Sequence, residues 1–198
     1  MKHPATSPHF TAAIAASFAL AFWALGSTQA SDVSIQKLSE NTSEGSTEFF
    51  RYSIHGEAYQ SAAFNDWQVL ANYSGMDVAA LSPRFSSSFV GIKIMPLLDD
   101  KGKPTTQITQ PIFEAIAESL KNPNVRYEGT LPTLKDPVDR VDFDLRRFEG
   151  NDSWSCHYIL KVKDDMLWIY ASEMSPSASN DGSRIFTMLE GTFSKVSP

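Results

Sequence analysis

This sequence of 198 residues holds one cysteine and four histidines, and it contains no Gly-x-Ser-x-Gly elbow, phosphate loop or dinucleotide fingerprint. Cys156 stands alone, so no intramolecular disulfide can form. His3 and His9 fall in the first thirty residues, which leaves His55 and His157 for the rest of the chain. Without His-x-x-x-His or Cys-x-x-Cys spacing, sequence-local ligands cannot assemble an ordinary zinc site. Basic clusters are missing too. With 17 basic against 23 acidic residues and a formal charge of -6, the composition argues against nucleic acid and anionic lipid as partners. These absences weaken an enzymatic reading without excluding it, because catalytic groups also converge from distant positions.

What is present begins with Lys2, an uncharged apolar run from Phe10 to Leu25, and the small residues that end at Ala30. That run falls short of the roughly 20 residues a membrane-spanning helix needs. The order matches a secretory signal peptide with cleavage near Ala30. The mature protein is therefore expected to be periplasmic or extracellular, with no stable membrane insertion. Removing Lys2 from the formal charge of -6 leaves it at -7. Residues 31–47 are rich in Ser, Thr, Asn and Glu, a composition that predicts a flexible leader. Ser34-Ile-Gln-Lys37 inside it matches a Ser-x-x-Lys pattern, but the Ser-Asp-Asn and Lys-Thr-Gly companions are absent and chance explains it. A single α+β domain is expected over 48–198.

Within that domain, Phe50, Tyr52 and Ile54 alternate with polar neighbours, as do Trp67, Val69, Ala71 and Tyr73, and Val90, Ile92 and Ile94. Period two predicts strands. Pro111 opens the clearest helix, whose apolar stripe is Ile112, Phe113, Ile116, Ala117 and Leu120, and Asn122-Pro123 ends it. Strands are predicted around Val125–Gly129 and Asp139–Phe148. A closing helix is expected to start near Asp181 or Ser183, bury Ile185, Met188, Leu189, Thr192 and Phe193, and stop near Gly191. Asp142 and Asp144 could be read as a metal pair, but the flanking Arg140 and Arg146 favour a salt-linked, solvated face. No metal and no organic cofactor is expected.

The segment Ser153–Ser172 reads as a hairpin turning at Asp164-Asp165. A two-residue loop pairs Lys163 with Met166, Leu160 with Ile169 and Tyr158 with Ala171. One face then carries Trp154, Cys156, Tyr158, Leu160 and Val162 opposite Leu167, Ile169 and Ala171, and Cys156 reads as a buried strand thiol. The other carries Ser155, His157, Ile159 and Lys161 opposite Trp168, Tyr170 and Ser172. A one-residue slip would exchange the faces. With the closing helix over the Leu160–Ile169 face, the opposite face is either buried by the first helix or open. If open, His157, Lys161, Trp168 and Tyr170 form the candidate binding surface.

The order of strands, a Pro-started helix, four strands and a terminal helix predicts an α+β fold, an antiparallel sheet of about six strands covered by helices. Asp66-Trp67, Val90-Gly-Ile-Lys-Ile94, the helix Ile112–Leu120, the Tyr158–Tyr170 hairpin spacing and Ile185–Phe193 resemble the PsbP and DcrB-like superfamily. That resemblance implies a PsbP-like α/β/α sandwich and an accessory role, binding a protein partner, with no shared reaction and no site residue to carry over. The functional expectation is an exported binding protein of the bacterial envelope. The alternative is a small-molecule or metal-binding periplasmic enzyme, for which His55, His157, Asp142 and Asp144 would be the residues to test.

Overall fold

The computed structural model describes residues 33–42, 45–64, 66–85 and 87–196. The segment read as a signal peptide, with its cleavage point, lies outside the described residues. In chain order the elements are β1 (Ser34–Thr42), β2 (Gly45–Ile54), β3 (Glu57–Ala62), β4 (Gln68–Tyr73), β5 (Met76–Leu81), β6 (Phe89–Pro96) and α1 (Gln110–Ser119). There follow β7 (Arg126–Glu128), β8 (Arg140–Glu149), β9 (Asp152–Lys163), β10 (Met166–Met174), α2 (Ser179–Thr192) and β11 (Ser194–Lys195). The strands form two antiparallel sheets, ordered β1-β2-β3-β11 and β4-β5-β6-β10-β9-β8-β7. The fold is α+β, as expected. The main sheet has seven strands, and the sequence reading did not separate out the second sheet.

Turn chemistry explains the difference. His55–Gly56 and Ser74–Gly75 each carry positive φ at both positions, as Asp164–Asp165 does. Each pair closes a two-residue hairpin whose twist suits the flanking strands, joining Ile54 to Glu57, Tyr73 to Met76 and Lys163 to Met166. The last has the predicted register. The first two create β3 and β5, which the period-two reading passed over. Residues 34–42, where composition predicts a flexible leader, form β1, paired with β2 from Ser34↔Ser53 to Thr42↔Gly45. Its ladder bonds and the packing of Val33 and Ile35 against the core supply order that the polar composition does not reveal.

The helices cover opposite faces of the main sheet, but in the reverse of the predicted arrangement. Ile112, Phe113 and Ile116 of α1 pack with Phe143, Leu160, Leu167 and Ile169, and the Phe113 ring stands edge-on to Phe143 at 5.3 Å. Ile185 and Leu189 of α2 pack with Trp168, Tyr170, Ile92 and Ile94, together with Tyr52, Ile54 and Tyr59 of the small sheet. The turn Pro176–Ala178 runs straight into α2, which therefore starts at Ser179, before Asp181. Gly191 does not stop the helix. It ends at Thr192, whose Oγ1 accepts the Ala62 N–H at 3.1 Å and ties the end to the small sheet. Within α2, Phe186 and Gly182 join the buried stripe, whereas Thr192 is exposed and Met188 half-buried.

Gly91 on β6 leaves no room beside the neighbouring strand β5, since a Cβ there would lie 2.7 Å from Met76 Cγ and 3.0 Å from the Val78 carbonyl oxygen. Backbone cannot retreat as a flexible side chain can. Gly91→Ala is expected to destabilise the fold by about 1–3 kcal/mol in urea denaturation, the range for overpacking.

Beyond Val78↔Ile92, β5 and β6 stop pairing and side chains take over the ladder. Asp77 Oδ2 accepts the Ile94 N–H at 2.7 Å, and His55 Nε2 donates to the Ile94 carbonyl at 3.1 Å. Burial pushes the Asp77 carboxyl above its ordinary 3.8, against the opposing pull of the Ile94 N–H and of His55. A carboxyl raised in the folded state contributes stability that is present below the unfolded value and lost as pH rises through the folded value. Asp77→Asn keeps an acceptor for Ile94 without a charge. Urea melts across the acid range should therefore show the variant gaining on the parent as pH rises from about 3.8 upward; a pH-independent difference would contradict this account.

Candidate functional site

The register of the main sheet places Asp144 of β8, His157 of β9 and Ser172 of β10 in one row, because Asp144 pairs with His157 and His157 with Ser172. Asp144 Oδ1 lies 2.8 Å from His157 Nδ1. Above this row, α2 covers β10 and β6 and leaves β8 and the outer part of β9 uncovered. A groove of about 380 Å³ opens between helix and sheet, with Ser155 and Met174 in its floor and Ser179, Ser183, Phe186 and Thr187 on the helix side. The edge of the imidazole meets Phe186, ring centroids 4.9 Å apart at 69°.

Asp144 fixes which way the imidazole points. With Nδ1 taken by Asp144, Nε2 is the ring nitrogen left over. Nε2 makes no hydrogen bond among the described residues. The row has the residue types of a nucleophilic triad, but no hydrogen bond joins Nε2 to the Ser172 hydroxyl, as a triad requires. Ser172 is also nearly buried. The arrangement offers an oriented hydrogen-bonding nitrogen surrounded by hydroxyls, with Phe186 and Met174 supplying apolar contact. Such a mixture suits recognition more than turnover.

The four residues of the predicted surface separate. His157 lines the groove with its side chain 39% exposed, and Lys161 lies farther along β9 with Nζ 3.8 Å from Glu190 Oε1. Trp168 and Tyr170 are 1% and 2% exposed. They are covered by α2 and the small sheet, neither by α1 nor by solvent, and Trp168 stands edge-on to Tyr59 and Phe193 at 5.7 Å each. A displayed aromatic patch is thus corrected to a core cluster. Burial also pushes the Tyr170 hydroxyl well up.

Asp142 is held by Arg140 through two bonds of 2.9 and 3.0 Å, and Arg140 also reaches Glu190 at 2.9 Å. Asp142 and Asp144 thus turn to different partners. Among the described residues no group of three or more His, Cys, Asp and Glu could hold a metal ion, and His55 is engaged with the Ile94 carbonyl and lies 3.8 Å from Asp77.

On the α1 face, register brings together a group that sequence reasoning missed. Glu173 accepts the Tyr158 hydroxyl at 3.1 Å and pairs with Arg147 at 3.1 Å, while the Arg147 guanidinium lies 4.3 Å from the Trp154 ring centre. Burial pushes the Glu173 carboxyl up, with Arg147 opposing. Cys156 beside it is buried and its thiol is pushed up to about 12, first by burial and then by the Glu173 charge. That thiol is a packing group. The partners come from β8, β9 and β10, so no local spacing announces them.

No family model matches this chain, and no curated protein matches it. Among solved structures it is similar to the solution structure of cyanobacterial PsbP (CyanoP) from Synechocystis sp. PCC 6803, at 12% identity over 86% of this chain and 96% of that chain, with a TM-score of 0.43. Among the described residues no helix is long and apolar enough to cross a membrane.

Burial at Trp168 and half-exposure at His157 lead to opposite mutational outcomes. Trp168→Ala should cost about 3–5 kcal/mol, as for a large core aromatic. His157→Ala should change stability by less than about 1 kcal/mol, a partly exposed ion pair being worth little. Thermal and urea denaturation of both variants checks the contrast.

Proposed function

We propose that this chain is an exported accessory protein of the bacterial cell envelope that recognises a protein partner through the groove between α2 and β8–β9. The observation that carries the reading is the Asp144-oriented imidazole of His157 in a groove lined by hydroxyls. A peptide segment brings its own N–H and C=O groups, which need partners when water leaves. Serine and threonine hydroxyls act as donor or acceptor, and Nε2 adds an oriented site, so the groove can satisfy a backbone of either polarity. Phe186 and Met174 give one side chain of that segment an apolar seat. Arg140, Lys161 and Glu190 beside the groove form a charged rim, which favours correct encounter more than affinity. Export is supported by the signal-peptide pattern of the first thirty residues.

A second reading rests on the same pair. A carboxylate-held imidazole is also how a general base is prepared, so an envelope enzyme acting on a small molecule would use Asp144 and His157. The two readings part on what His157→Ala loses.

The test takes the protein from its native envelope fraction. Intact mass should give a mature chain starting at Ser31. Crosslinking and affinity capture should return one steady protein partner with the parent, and binding should be about tenfold weaker or worse with His157→Ala at unchanged melting temperature, about 1.4 kcal/mol. A species retaining residues 1–30, or a partner held equally by the variant, would overturn the proposal. A small molecule co-purifying with the parent alone would move the assignment to the enzyme.

A further inference from the structure

On the opposite side of α2 from the groove, a second cleft of about 440 Å³ is lined by Asp66, Trp67, Ser82, Arg84, Asp181 and Arg184. Its walls are built by separate local devices. Asp66 holds φ at +70° in a turn closed by the Trp67 N–H on the Phe64 carbonyl at 3.2 Å, which sets the indole as an apolar wall only 8% exposed. The Ser82 N–H donates to the Ser88 carbonyl at 3.0 Å, and Ser82 Oγ accepts the Arg84 N–H at 3.4 Å. Asp181 and Arg184 are one turn apart on α2, placed on the same side of the helix.

The charged side chains of this cleft are all exposed and free to meet a ligand from solvent. Two guanidiniums and two carboxylates line one cavity, and among the described residues none of the four forms an ion pair. Around the first groove, by contrast, Arg140 is shared between Asp142 and Glu190. The Trp67 indole N–H likewise has no acceptor among the described residues. The cleft thus carries both signs of charge, none in an ion pair among the described residues, together with an aromatic wall.

From this we infer that the cleft binds a small zwitterion of the amino-acid class. The ligand's carboxylate is taken by Arg84 and Arg184, whose planar guanidiniums suit it. Its ammonium is taken by Asp66 and Asp181, and its side chain lies against Trp67. Balanced charge selects for both groups at once. A simple anion meets the two aspartates, and a simple cation meets the two arginines, so either alone gains one attraction and suffers one repulsion. The volume falls within the range of small-molecule sites, about 300–1,000 Å³. This site is independent of the groove and of the partner proposed for it.

Three probes of one shape separate the possibilities: L-phenylalanine, phenylacetate and phenethylamine, carrying both charges, the negative one and the positive one. In the full mature chain, the Trp67 indole N–H resonance, assigned through Trp67→Phe, is followed by NMR during titration. L-Phenylalanine should shift it saturably, and each singly charged probe should bind at least tenfold more weakly. The double variant Arg84→Gln/Arg184→Gln should lose L-phenylalanine binding by tenfold or more at unchanged melting temperature, while His157→Ala leaves it intact. Failure of L-phenylalanine to shift the resonance, equal binding of phenylacetate, or full binding by the double variant would each overturn the inference.

Discussion

Two left-handed residues, Asp164 and Asp165, set the register of the β9–β10 hairpin, and most of the molecule depends on that register. Side chains alternate across a strand, so a slip of one residue would send Ile169 to the face opposite Leu160 and turn Trp168 and Tyr170 toward α1. The turn works against composition, because aspartate tolerates positive φ less readily than glycine or asparagine. Long flanking strands with apolar positions on both faces outweigh that local cost. Both cores are then fixed at once: Leu160, Leu167 and Ile169 toward α1, and Trp168 and Tyr170 toward α2 and the small sheet.

The groove follows from a mismatch of widths. Helix α2 is a single cylinder, about 10 Å across with its side chains, laid over a sheet of seven strands. It covers β10 and β6, and the small sheet covers what lies beyond them, which leaves β8 and part of β9 open. The residues left open are those the sequence makes polar: Arg140, Asp142, Asp144 and Arg146 on β8, and Ser155, His157 and Lys161 on β9. Gly182 lets the helix sit low enough to form the wall, since any Cβ there would collide with the buried Met174 side chain. Met174 in turn floors the groove. Core packing and site shape meet at that single close approach.

The elements with strong periodicity were legible in sequence: the Pro111 helix, the charged β8 row and the hairpin register are found where the pattern puts them. What failed was assignment between elements. Nothing in Ile112–Leu120 or Ile185–Phe193 states which face of the sheet each stripe will cover, because both faces of β9–β10 are apolar enough to accept a helix. That ambiguity left Trp168 and Tyr170 as candidates for display, although their burial under α2 and Tyr59 makes them core. Strands β3 and β5 were missed for a different reason. His55–Gly56 and Ser74–Gly75 are turn signals of the right kind, but His and Ser are weaker cues than Asn or Asp in the first position, and the following runs are short.

The part of the site that sequence did anticipate, His157, was identified for the wrong neighbours. The sequence groups it with Lys161, Trp168 and Tyr170, and it lies instead between Asp144 and Phe186. Asp144 had been assigned to a salt-linked row with its flanking arginines, and only the β8–β9 pairing shows that its nearest charge partner is across the ladder. The same holds for Glu173 and Arg147, which are distant in sequence and joined only by register. On the α1 face Arg147, Glu173 and Tyr158 are largely buried and bonded to one another, which suits them to hold the sheet. Those around α2 face solvent, with a ring nitrogen, two guanidiniums and two carboxylates that make no hydrogen bond or ion pair among the described residues. The buried atoms without a partner, Arg147 Nε and Trp168 Nε1, fall one on each face, so the reason to look for function beside α2 is that the groove and the charged cleft both open there.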